Sequence, residues 1–209
     1  MMRAAYSVQP VEPSLPNMHS SLSTHPLILF TAPSGAGKTS IARRVMQQRS
    51  NVQFSVSATT RPPRNGETHG DDYFFLSEDE FRRRIDTGDL LEYEEVYPGR
   101  FYGTLKSEVE AKRSDGPVLL DVDVKGAATI KSMYGDDALF VFIAPPSLDE
   151  LRRRLVERGT ETPGDLSERL DRAAMEMEYQ DAADAVIVND DLEVAVHETL
   201  DCIDRFTHG

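Results

Sequence analysis

The segment Ala32-Pro33-Ser34-Gly35-Ala36-Gly37-Lys38-Thr39 lies between a short β-prone apolar run, Leu27 to Thr31, and a stretch with Ile41, Ala42, Val45 and Met46 at helical spacing. A glycine-containing loop that leaves a strand, opens a helix and ends in Lys-Thr has the pattern of a phosphate loop. The residue types supply the chemistry. Gly35 and Gly37 let backbone N–H groups turn inward around a phosphate, and the helix N-terminus adds donors and a favourable dipole. Lys38 offers a mobile cation for the β and γ phosphates of ATP, and the Thr39 hydroxyl is placed to ligate Mg²⁺. Ala32 stands where the usual pattern has its first glycine, a change that matters only if this position needs a positive φ.

Further apolar runs follow the same logic. Phe54 to Ser57 reads as a short strand, Val118 to Val122 and Leu139 to Ala144 as strands of the doubly buried kind, and Val186 to Val188 as a fifth. Ser77 with Glu80, and Ser147 with Glu150, have capping-box spacing ahead of apolar helix faces, with Gly88 and Gly159 as the matching ends. Leu192, Val196, Leu200 and Ile203 predict a helix that closes the core. Strands alternating with helices argue for an α/β fold with a parallel sheet. Asp121 and Asp123 end the run Val118 to Leu120, where a carboxylate faces the crevice beyond a strand's C-terminal end; either could hold Mg²⁺ through water, and Asp121 is taken as the candidate.

With 209 residues the chain has room for one catalytic unit with small appended lobes. Its formal charge, 23 minus 36 or −13, repels polyanions, which argues against nucleic acid and anionic membranes as partners. Any phosphate ligand must then be held by local positive charge. One cysteine, Cys202, excludes an internal disulfide and points to a reducing, cytoplasmic setting. No apolar run is long enough to span a bilayer. Residues 1–24, with Pro10, Pro13, Pro16 and several serines, carry too few large apolar groups to offset their ordering entropy, and are expected to form a flexible tail. The five histidines show no ligand spacing.

From about Leu27 to Phe206 the chain resembles the guanylate kinase family. The resemblance is carried by the phosphate loop, by Phe54-Ser55-Val56-Ser57-Ala58-Thr59-Thr60-Arg61-Pro62-Pro63-Arg64 with Gly66-Glu67, and by Asp72-Tyr73. It continues through Phe101-Tyr102-Gly103-Thr104, Asp121-Val122-Asp123 with Gly126, Arg158-Gly159-Thr160 and Val188-Asn189-Asp190-Asp191. Two departures stand out: Lys125 where the family often has glutamine, and Pro98, which adds one residue between Glu92 and Tyr102.

What the resemblance implies is a P-loop kinase fold: a five-stranded parallel core (25–55, 108–148, 174–209), an inserted GMP-binding lobe (56–107) and a short lid (149–173). The implied reaction is Mg²⁺-dependent transfer of the γ-phosphoryl group of ATP to GMP, and to dGMP, within purine nucleotide metabolism. By resemblance, Arg61, Arg64, Tyr73 and Tyr102 clamp the GMP phosphate, a set of forked cations and phenols suited to a dianion. Ser57, Glu92, Thr104 and Asp123 correspond to the guanine-reading set, with Glu92 on the N1 and N2 edge, the two hydroxyls toward O6 and Asp123 near the amino group. Arg158 and Arg169, with Arg154 as a third candidate, correspond to lid arginines that close over the transferring phosphates, and Asn189 to an adenine contact. The catalytic set is then Lys38, Arg61, Arg158 and Arg169, acting by alignment and charge neutralisation. The expected assembly is a monomer or homodimer. Two other classes share parts of this pattern: a guanylate-kinase-like protein-recognition module, and a nucleoside monophosphate kinase for another base.

Overall fold

The computed structural model describes residues 25–158 and 163–208, without the side chains of Arg158 and residues 163–165. The tail at residues 1–24 and the helix end expected at Gly159 therefore lie outside the described residues.

Five parallel strands build the main sheet: β1 (Leu27–Thr31), β2 (Gln53–Phe54), β7 (Val118–Asp121), β8 (Ala138–Ala144) and β9 (Ala185–Val188), in the order β2-β7-β1-β8-β9. β1 and β8 are buried along their whole length, as expected for inner strands covered on both faces. Alternation along β1 divides the core in two. Ile28 and Phe30 face a cluster with Ile41 and Val45 of α1 (Lys38–Gln48) and with Val196, Leu200 and Ile203 of α7 (Leu192–His208). Leu27 and Leu29 face the other cluster, with Val109 of α3 (Lys106–Arg113) and Ile130 of α4 (Val124–Tyr134). The expected strand at Phe54 to Ser57 is shorter and starts earlier, because Ser55 is the last residue to bond across to β7, through Leu119 O, before the chain turns into the second lobe.

That lobe has its own sheet, in the order β4-β3-β6-β5, from β3 (Ala58–Thr59), β4 (Phe74–Phe75), β5 (Leu90–Tyr97) and β6 (Arg100–Leu105). Its small core gathers Ala58, Leu90, Phe101 and Leu105 around Phe81 of α2 (Glu78–Asp86). Ser77 caps α2 by accepting from Glu80 N–H at 3.2 Å, and Gly88 ends it at φ 70°. A helical pair, α5 (Leu148–Arg158) and α6 (Pro163–Met177), joins through Leu151, Leu155 and Ala173. Ser147 caps α5 by accepting from Glu150 N–H at 3.1 Å. None of the described helices is long and apolar enough to cross a membrane.

Candidate active site

The C-terminal ends of β1 and β7 open into a cleft of ≈ 1370 Å³ between the two lobes and α6. At its floor the loop from Ala32 to Thr39 turns on Gly35 (φ 97°) and Gly37 (φ 98°). A Cβ on Gly35 would stand 2.9 Å from Leu155 Cδ2, so both the left-handed backbone and the close approach of α5 require glycine there. No described non-glycine residue has a positive φ, so alanine at position 32 costs the backbone nothing. α1 begins at Gly37 with neither a side-chain cap nor an acid in its first turn, which leaves its leading N–H groups available to an anion.

Lys38 is one-fifth exposed, forms an ion pair with Asp121 and donates to Val122 O at 3.3 Å. Thr39 and Asp121 both line the cleft, and a hydroxyl beside a carboxylate is the oxygen donor set that Mg²⁺ favours. Asn189, the expected adenine contact, belongs to the segment after β9. It is buried under the loop, where its Nδ2 donates to Ala36 O at 2.7 Å, and it does not line the cleft. Arg154 reaches the same region from α5, donating to Asn189 O at 2.9 Å and to Glu150 Oε1 at 2.8 Å.

At the far end of the cleft, Glu92 on β5 lies opposite Thr104 on β6, and the Thr104 hydroxyl donates to Glu92 Oε1 at 2.5 Å. Thr104 is 2% exposed, and its hydroxyl braces the Glu92 carboxylate. Burial pushes the Glu92 carboxyl up to about 7, the bond from Thr104 opposing that rise and the negative charge of Asp123 adding to it. Asp123 is the N-cap of α4, its Oδ1 accepting from Gly126 N–H at 2.6 Å. Ser57, Glu92 and Asp123 all line the cleft.

Between the two ends sit the groups expected to clamp a phosphate. Arg64, Tyr73 and Tyr102 line the cleft, with the two phenol rings edge to face at 6.0 Å. Arg61 lies behind them, 7% exposed, its guanidinium 5.0 Å from the centre of the Tyr73 ring. Its fork is bidentate on Glu67, at 2.6 and 2.8 Å, and also donates to Pro62 O at 3.0 Å. That fork, with the Arg64 backbone N–H at 2.6 Å, holds the Glu67 carboxyl down at about 2. Arg61 thus stands directly behind the phenol wall, under Tyr73 and held by Glu67.

α6 closes the third side. Arg169 donates to Ser34 Oγ at 3.3 Å, and Arg172, one turn on, reaches Glu94 on β5 at 3.4 Å and Glu176 at 2.9 Å. The side chain of Arg158 lies outside the described residues.

Comparison with known proteins gives the family. The family model for guanylate kinase matches residues 23–205. The chain belongs to the guanylate kinase family. It is 63% identical to a guanylate kinase of Salinibacter ruber over 180 residues, 86% of this chain and 96% of that protein. A Bacteroides fragilis guanylate kinase is 52% identical over 181 residues, covering 86% of this chain and 89% of that one. Among solved structures, guanylate kinase from Anaplasma phagocytophilum is 31% identical with a TM-score of 0.72, covering 90% of this chain and 89% of that one.

The β5–β6 pairing is irregular between Glu95 and Tyr97, just before Pro98, and the Glu92–Thr104 and Glu94–Tyr102 pairs keep one register. Lys125 is exposed on the first turn of α4. Sequence reasoning named Glu67 in its motif without a role, and gave none to Glu94 or Arg172. The one available signal for Arg172 is its spacing of three from Arg169, which places both on one helix face.

Proposed function

We propose that this cleft carries out the guanylate kinase reaction, transferring the γ-phosphoryl group of ATP to GMP or dGMP and releasing ADP and GDP or dGDP. The observation that carries the reading is a single cleft with a phosphate loop at one end, a buried carboxylate at the other, and an arginine with two phenols between. Such a cleft can hold two phosphorylated ligands with their phosphates meeting in the middle.

On this reading the loop amides and Lys38 hold the ATP phosphates, Lys38 leaving its ion pair with Asp121 for the incoming anion. Thr39 and Asp121, the latter through water, would hold Mg²⁺, which when bound neutralises phosphate charge. Asn189 and Arg154 brace the loop from beneath. Arg64, Tyr73 and Tyr102 take the acceptor phosphate, with Arg61 and Glu67 fixing the wall behind them. Ionised Glu92 accepts from guanine N1–H and N2–H₂ together, while Asp123 and Ser57 border the base. Adenine presents a lone pair at N1 and nothing at C2, so it leaves the carboxylate unpaired. The attacking GMP oxygen is already anionic, so no general base is needed and catalysis rests on alignment and charge neutralisation. Arg169, approaching from α6, shields the transferring group from water together with Arg158. A small-metabolite kinase of this kind belongs in the cytoplasm.

A coupled assay of ADP release with GMP, dGMP, AMP, CMP and UMP tests the reading. Turnover confined to the two guanine acceptors is expected. Equal use of AMP would refute the role given to Glu92.

A further inference from the structure

Gly126 stands in the first turn of α4, buried, at a place where glycine is the poorest helix former apart from proline. Its φ is not positive, so the backbone there accepts any L-residue. What it lacks is space. A Cβ on Gly126 would stand 2.9 Å from Glu92 Oε2 and 3.1 Å from Glu92 Cδ, and 3.0 Å from Asp123 Oδ1. Neither carboxylate can withdraw freely. Glu92 is fixed at its Cα by pairing with Thr104 across β5 and β6, and at Oε1 by the Thr104 hydroxyl at 2.5 Å. Asp123 is fixed as the cap of α4 by the 2.6 Å bond from Gly126 N–H.

We propose that Gly126 is a specificity-determining position of the acceptor site. The missing side chain forms the berth in which the Glu92 carboxylate lies against the first turn of α4. This inference rests on Glu92 reading the guanine edge. A methyl group at position 126 would press the carboxylate away from α4 while leaving the phosphate loop, on the far side of the cleft, untouched. Misplacement of a binding group on the ångström scale weakens a reaction by roughly 100-fold.

The test compares Gly126→Ala, Glu92→Gln, Glu92→Asp and the double variant Glu92→Asp/Gly126→Ala in the full chain, by kcat/KM for GMP, KM for ATP and melting temperature. For Gly126→Ala the expected results are a melting temperature close to wild type, the helix gain of alanine opposing the crowding of Glu92, with an unchanged KM for ATP and a fall in kcat/KM for GMP of about 10- to 100-fold. Aspartate is one methylene shorter and clears the added methyl. Glu92→Asp should therefore lower GMP use when position 126 is glycine and raise it when that position is alanine, a reversal of sign that only a shared space produces. If Gly126→Ala keeps GMP kcat/KM within twofold of wild type while Glu92→Gln has lost it, the berth is refuted and the reading of Glu92 stands. If Glu92→Gln itself keeps GMP use, the reading of Glu92 fails. If Gly126→Ala melts lower and Glu92→Asp does not restore GMP use in it, the glycine is structural and the proposal is overturned.

Discussion

Replacing Glu92 with glutamine should make the protein more stable and much less useful, and the pH dependence of both effects follows from one shifted group. The carboxyl is pushed up from 4.5 to about 7, mainly by burial. A raised folded-state value means the proton is held more tightly in the folded chain than in the unfolded one. The contribution is fully present below about pH 4.5 and is lost as pH rises through about 7. The gap corresponds to roughly 3 kcal/mol lost by pH 8, where the charged form sits in a poorly solvated site. Glutamine keeps the shape without the charge, so Glu92→Gln should melt above wild type at pH 8 by roughly 5 to 10 °C. At pH 5 the advantage should disappear. Activity should move the other way, because the amide N–H₂ would point one donor at another on the guanine edge. In the wild-type enzyme GMP capture needs the ionised carboxylate, so KM for GMP should rise about tenfold from pH 8 to pH 6. GMP's own phosphate titrates near 6, and the residual slope in the variant measures that contribution. Calorimetry at pH 5 and pH 8, with initial rates across the same range, decides the matter. A variant that melts no higher at pH 8, or a flat KM for GMP in wild type, would refute the reasoning.

Three further outcomes are expected. Lys38→Ala should abolish phosphoryl transfer in single-turnover measurements with little change in melting temperature, since its ion pair with Asp121 is partly solvated; unchanged turnover would remove the phosphate loop from the reaction. Arg169→Ala should lower kcat far more than it raises KM for GMP, as a contact tightened on closure does, and a pure affinity loss would place this arginine elsewhere. Glu67→Gln should release the Arg61 fork, raise KM for GMP several-fold and lower the melting temperature at pH 7. Because the Glu67 carboxyl is held down at about 2, its contribution is present above about pH 4.5 and lost as pH falls toward 2, so the melting difference should close over that range; a difference that persists at pH 2 would show that charge is not its cause.

The parts of this structure legible in the sequence are those whose physical cause is local. A buried strand announces itself by a run such as Leu139 to Ala144, a helix start by Ser77 three residues before Glu80, and a phosphate loop by glycines whose positive φ the structure bears out at positions 35 and 37. The pairings that the sequence does not show are chiefly those between residues remote from one another. Thr104 meets Glu92 across 12 positions, Asn189 meets Ala36 across 153, and Arg172 meets Glu94 across 78. Residue type alone says that a buried threonine hydroxyl or asparagine amide must find a partner, but not which partner. A hydroxyl expected to face a base can equally serve a carboxylate that faces it, and only the register of β5 against β6 selects between the two. Arg61 shows that a partner only six residues away can also escape a reading by residue type. Of the two cations in Arg61-Pro62-Pro63-Arg64, Arg61 is buried with its fork bidentate on Glu67, while Arg64 is exposed toward the cleft. Function in this cleft therefore depends on an order of support, in which buried residues with remote partners fix the few groups that touch substrate. Substitutions at those supporting positions should change affinity and specificity without touching either nucleotide.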